Sequence, residues 1–160
     1  MPQAKEEPME YRTILWPTDL SKGSLKAMDH VISIAEKHGA RVIVMYVAVD
    51  LCSYFPAYGN YPSPDLIQQF QGWEVEEARK KLGQICDQLK NGCPNLGIKL
   101  VEGDAAREII KAASEEKADL IVLTSRGHGY GQSKEGPTGL GRVAREVVEK
   151  SPVPVQIIQP

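Results

Sequence analysis

Leu120-Ile-Val-Leu123 runs directly into Thr124-Ser-Arg-Gly-His-Gly-Tyr-Gly-Gln-Ser-Lys-Glu-Gly-Pro-Thr-Gly-Leu-Gly-Arg142. A short, continuously apolar run is what a parallel strand covered on both faces requires. The tract behind it carries glycines at 127, 129, 131, 136, 139 and 141, and Leu140, Val143 and Val147 then recur at a helical interval. Glycine admits torsions and close approaches that a Cβ forbids, so several backbone N–H groups can converge on one guest. Where such a loop feeds a helix N-terminus, the usual guest is a phosphate. A flexible loop with no ligand is the plain alternative, and position in the fold weighs between the two.

Four further apolar segments flank this one: Thr13-Ile-Leu-Trp16, Val42-Ile-Val-Met-Tyr-Val47, Ile98-Lys-Leu-Val101 and Val155-Gln-Ile-Ile158. Helical patterns separate them. Leu25, Met28, Ile32 and Ala35 mark one stripe, opened by Ser21 and closed by Gly39. Leu66, Phe70, Trp73, Ala78, Leu82, Ile85 and Leu89 mark a longer one, ending near Asn91-Gly92. A third helix follows Asp104, a good N-cap, and carries Ile109, Ile110, Ala112 and Ala113; the fourth must stop before Pro152. The alternation predicts one α/β domain over 11–160, a three-layer sandwich around a five-stranded, mostly parallel, Rossmann-like sheet with helices on both faces. Residues 1–10, polar and holding Pro2 and Pro8, read as a flexible arm rather than a secretory signal.

The 160 residues suffice for one domain with a substantial core. A net charge of −2 gives no global electrostatic footprint for nucleic acid, and no segment is apolar for long enough to span a membrane. Cys52, Cys86 and Cys93 are an odd number without metal-ligand spacing, which favours reduced thiols and a cytoplasmic protein. Between Asp50 and Pro64 lie Tyr54, Phe55, Tyr58 and Tyr61, interleaved with Pro56 and Pro62. That loop reads equally as a lid, a partner surface or a stiff surface loop.

Sheets of this kind bind ligands outside the carboxyl ends of their strands, where strand order reverses. The loops after Trp16, Val47, Val101 and Leu123 are therefore the places of interest, and the glycine tract occupies one of them. In Pro17-Thr18-Asp19, the Asp19 carboxylate could accept from a ribose or base edge, or cap the first helix. Val47 could line an adenine pocket or belong to the core. Gly103-Asp104 most economically provides a turn and a cap. Arg126, Lys134 and Arg142 bring positive charge to the tract, suited to phosphate or simply solvated; His128 reads as incidental.

Gly131 to Thr138 approaches P-loop spacing, but Pro137 stands where the lysine belongs. A G-x-G-x-x-G pattern from Gly127 fails at Gln132, and G-x-S-x-G, H-E-x-x-H and C-x-x-C are absent. No nucleophile with a base can be assembled, which favours binding over catalysis and leaves slow ATP hydrolysis as the enzymatic alternative.

Ile14-Leu-Trp-Pro-Thr-Asp19, Val44-Met-Tyr-Val47, Glu102-Gly-Asp104, Ala118-Asp-Leu-Ile-Val-Leu123, Gly141-Arg-Val143 and Ser151-Pro-Val-Pro-Val155 together resemble the universal stress protein family over about Tyr11 to Gln159. The resemblance implies the adenine-nucleotide α-hydrolase-like fold, homodimerisation through the last strand (Val153 to Ile158) and a stress-response role exerted through an unidentified downstream protein. It also implies ATP or another adenine nucleotide as ligand, with Mg²⁺ accompanying the phosphates. Asp19 and Val47 match the positions that hold adenosine. The family's Gly-x2-Gly-x9-Gly-Ser/Thr loop aligns with Thr124, Gly127, Gly141 and Arg142, and the interval from Gly127 to Gly141 is four residues longer than the pattern. Two of four key positions thus differ: a Cβ stands at Thr124 and a long cation at Arg142. The full set expected at a nucleotide is Pro17, Thr18, Asp19, Val47, Thr124, Arg126, Gly127, Gly129, Gly141, Arg142 and Val143. A nucleotide-independent interaction module of the same family is the alternative.

Overall fold

The computed structural model describes residues 7–48, 64–93, 95–125 and 140–160. Along the chain run β1 (Thr13–Pro17), α1 (Lys22–Leu25), α2 (Met28–His38), β2 (Arg41–Ala48), α3 (Pro64–Leu89), β3 (Leu96–Glu102), α4 (Ala105–Glu115), β4 (Leu120–Thr124), α5 (Arg142–Lys150) and β5 (Val155–Ile158). The five strands form one sheet in the order β3-β2-β1-β4-β5, and every pair is parallel. Because strand side chains alternate between faces, Ile14, Trp16, Val42, Val44, Leu120 and Val122 pack beneath α2 and α3. Leu15, Ile43, Met45, Ile121 and Leu123 pack beneath α4 and α5. Both faces are covered, which is why the central strands are apolar at consecutive positions.

The first helical stripe is divided. Ser21 Oγ accepts from Ser24 N at 3.0 Å to open the single turn of α1. The N–H groups of Lys26 and Ala27 then reach Gly23 O and Ser24 O, tight three-residue bonds that end it before α2 begins. Gly39 closes α2 in the left-handed region at φ 63°, where glycine carries no Cβ penalty. Asp104 caps α4, its Oδ1 accepting from Arg107 N at 3.1 Å. The strand expected at Ile98–Val101 extends to Leu96–Glu102. Cys86 and Cys93 are buried free thiols whose pKa values burial pushes up. Among the described residues no helix is long and apolar enough to cross a membrane.

The long helix corrects the sequence reading. Ala78, Leu82, Ile85 and Leu89 are buried, but Leu66, Phe70 and Trp73 are 43%, 56% and 66% exposed. At about 100° per residue, the first four point some 130° away from the last three. Two polar contacts join the amino-terminal half of α3 to the sheet: Gln71 Nε2 donates to Glu102 Oε1 at 2.8 Å, and Tyr46 Oη donates to Glu74 Oε1 at 2.9 Å.

The junction of β1 with β4 is short. Five residue pairs join β1 to β2, whereas the β1–β4 ladder holds only Ile14↔Leu120 and Leu15↔Ile121. Its amino end is clamped by Asp119, whose Oδ2 accepts from Arg12 N at 2.8 Å and Thr13 N at 2.9 Å while its own N–H donates to Thr13 O at 2.8 Å. Its carboxyl end stops at Pro17. Thr13 turns its backbone groups toward β4 and Thr18 donates toward β2, to Met45 O at 2.8 Å. By alternation Pro17 faces β4 and has no N–H to offer it.

Two outcomes are expected. Asp119→Ala, which removes two hydrogen bonds to a charged acceptor, should lower unfolding free energy in urea by about 2–4 kcal/mol. Trp16 is fully buried and its indole N–H has no partner among the described residues. Trp16→Phe removes that orphaned donor as well as some packing, so its cost in the same measurement should stay below the roughly 3 kcal/mol or more of an ordinary large core truncation.

Candidate functional site

Strand order reverses between β1 and β4: the chain builds outward from β1 through β2 to β3, then returns to build β4 and β5 on the other side. Their carboxyl ends therefore flank a crevice with no crossover passing over it. Pro17 pairs with Met45, so Asp19 and Val47, each two residues further on, stand level at this edge.

Thr18 is buried, and its Oγ1 accepts from Leu20 N at 3.0 Å and from Ser24 Oγ at 2.8 Å. Asp19 Oδ1 accepts from Ser21 N at 3.0 Å, fixing an Asx turn ahead of α1, and Leu20 holds φ 64° to turn the chain. The helix is capped by Ser21, not Asp19. Val47 packs, partly buried, against the cluster beneath α4 and α5. On the far side Thr124 is buried at the end of β4, and Ser125 follows with three bonds. Its N–H donates to Ile158 O at 3.0 Å, its Oγ to Gln159 Oε1 at 3.2 Å, and its carbonyl accepts from Gly141 N at 2.7 Å.

That last bond brings the two ends of the glycine tract together. Arg126, Gly127 and Gly129, with His128 and Lys134, lie outside the described residues. Gly141 is the N-cap of α5, at φ −63° and ψ 162°, and having no side chain it offers none to the helix amides. The N–H groups of Arg142, Val143 and Ala144 occupy the first turn, where no intrahelical acceptor exists. The Val143 side chain is turned into the cluster beneath α5, so its amide is what it can offer. Arg142 Nη1 lies 3.6 Å from Asp104 Oδ2 and 3.5 Å from Glu146 Oε2. Both pairs are largely exposed, hence weak and open to exchange.

Two contributors escaped the sequence reading. Ser125, inside the quoted tract, ties β4, β5 and α5 together; only the pairing of β4 with β5 reveals it. Tyr46, half-buried on β2, stands between carboxylates. Its hydroxyl pKa is pushed up to about 12, first by burial, then by the hydrogen bond and charge of Glu74 and by the charge of Asp19. No cluster of three or more metal-ligating side chains occurs among the described residues.

The parallel doubly wound sheet and its order reversal define an α/β domain of the Rossmann-like class. Comparison narrows the class: the universal stress protein family profile matches residues 10–159, and the chain belongs to that family. Among curated relatives, universal stress protein MJ0531 of Methanocaldococcus jannaschii is 33% identical, across 93% of this chain and 82% of its own. The solved structure of MJ0577, from the same organism, superposes with a TM-score of 0.81 at 27% identity, covering 95% of this chain and 98% of that one. A universal stress protein solved in complex with cAMP shares the fold at TM-score 0.64 and 24% identity, over 94% of this chain and 98% of its own.

The environment of Tyr46 sets a pH dependence. With its pKa raised, the folded protein keeps a proton that the unfolded chain begins to release near pH 10. The contribution of Tyr46 is therefore complete below that pH and is lost as pH rises from about 10 toward 12. Tyr46→Phe should cost about 1 kcal/mol at neutral pH. It should also show a shallower alkaline decline than the parent in urea titrations across this window.

Proposed function

We propose that this protein is a non-enzymatic regulatory module of stress responses that binds an adenine nucleotide, in the first instance ATP, in the crevice between β1 and β4. The observation that carries the reading is the uncapped amino end of α5, joined through Gly141 to Ser125 at the edge of β4. A phosphate there would take the free amides of Arg142 and Val143 and the favourable end of the helix dipole. Asp19 and Val47, level at the opposite lip with Pro17 and Thr18 behind them, would hold the adenosine. Arg142 would exchange its exposed carboxylate partners for phosphate oxygens, and Thr124, Arg126, Gly127 and Gly129 complete the proposed set. Mg²⁺ would accompany the phosphates, held by them and by water. The family relative in complex with cAMP supports the ligand class.

The proposal includes a cytoplasmic homodimer joined through residues 153–158. Its support is the position of β5 at the sheet edge, where one row of backbone groups is left for a partner. Titration calorimetry with ATP, ADP, AMP and cAMP should give dissociation constants in the micromolar range for at least one of them. Asp19→Ala should weaken the best by tenfold or more, about 1.4 kcal/mol. Absence of heat with every ligand at millimolar concentration would overturn the reading and leave the family's nucleotide-independent interaction role in its place.

A further inference from the structure

Leu66, Phe70 and Trp73 follow one another on α3 at intervals of four and three, so they lie within about 60° of the helix circumference. All three are exposed, Trp73 by two thirds. They form a second apolar stripe, separate from the one that seats the helix on the sheet. The surrounding charge is of one sign: from Pro64 to Glu77 the helix carries Asp65, Glu74, Glu76 and Glu77 and neither lysine nor arginine. Cations begin one turn further on, at Arg79, Lys80 and Lys81; Arg79 pairs with Glu76 at 3.9 Å and Lys80 with Glu77 at 3.3 Å, in exposed contacts that water and salt readily replace.

We propose that this face of α3 docks a basic amphipathic helix of a partner protein. Apolar anchors at helical spacing are what one helix presents to another, and exposed tryptophan and phenylalanine are the side chains that carry such contacts. The acidic border selects lysine and arginine flanks on the incoming segment. It also disfavours nucleic acid and anionic lipid surfaces, to which helices adhere through basic residues. Area and charge weigh against a second copy of this chain as the occupant. The three side chains expose on the order of 350 Å², less than half of the roughly 800 Å² that each partner contributes to a standard stable interface. A second copy of this chain would bring the same acidic border against its own.

Trp73 reports its own occupancy, since the only other tryptophan, Trp16, is buried. Two synthetic helical peptides share leucines at i, i+4 and i+7; one carries lysine at the flanking positions, the other glutamate. Added to the full-length protein, the lysine peptide should shift Trp73 emission to the blue and cut its iodide quenching at least twofold. The glutamate peptide should bind at least tenfold more weakly. Phe70→Ser should weaken the lysine peptide at least tenfold, with the circular dichroism spectrum unchanged. Lys90→Ser, in the turn just past the end of α3 and far from the stripe, should leave binding unchanged. The proposal is overturned if both peptides bind equally or neither binds at millimolar concentration. It is likewise overturned if Trp73 becomes protected as protein concentration rises, which would assign the stripe to a second copy. Protection in dilute protein that is lost on deleting residues 51–61 would assign it to the chain's own segment.

Discussion

Everything at the carboxyl edge depends on how β1 and β4 part company. In a parallel sheet, neighbouring strands stay joined while each supplies donors and acceptors to the other. Asp119 overserves the junction at its amino end, placing a carboxylate on two N–H groups of the incoming chain. Pro17 starves it at the other, because the one residue whose backbone should next face β4 has no N–H. The ladder is consequently firm over two residue pairs and then stops. An opening of this kind costs the fold little, since the strands remain packed through Leu15, Ile121 and the side chains beneath α4. It leaves the point of strand-order reversal without a ladder beyond Leu15 and Ile121.

The two lips of the cleft are built differently, and the difference has a chemical consequence. The β1 lip is rigid: the Thr18 hydroxyl, the Asp19 carboxylate and the left-handed Leu20 form a closed set of short-range hydrogen bonds. The β4 lip concentrates backbone donors, because Gly141 anchors to Ser125 and leaves the first turn of α5 without a side-chain cap. A rigid acceptor facing a cluster of donors matches a ligand that is a hydrogen-bond donor at one end and an anion at the other. That polarity, more than any single residue, is why an adenine nucleotide is the ligand to propose.

How much of this was legible in the sequence follows from which forces are local. Strand positions, both helix caps at Ser21 and Asp104, and the parallel sheet could be read because apolar runs and caps act within a few residues. The family could be read for the same reason, its motifs being clustered at strand ends. Ser125 was not legible, because its role is set by strands remote in sequence. The apolar residues of α3 were misread as one stripe although their phase was in plain view: from Trp73 to Ala78 is five residues, about 140° of rotation, where a continuous face would need three or four. The error came from counting apolar residues along the helix without following them around it.

That phase break bears on how α3 works. Its carboxyl-terminal half is bound to the sheet by buried Ala78, Leu82, Ile85 and Leu89, while its amino-terminal half has the Tyr46–Glu74 and Gln71–Glu102 hydrogen bonds and only partly buried apolar side chains, Ile67 and Val75. Apolar burial of that extent is worth several kcal/mol; hydrogen bonds at a wet surface contribute about 1 kcal/mol each. The two halves therefore differ in how readily they yield. Tyr46 is the group common to both regions: its hydroxyl binds the yielding half of α3 and feels the charge of Asp19 at the crevice. The Tyr46–Glu74 hydrogen bond thus fastens the more weakly held half of α3 to the strand that ends beside the candidate binding site.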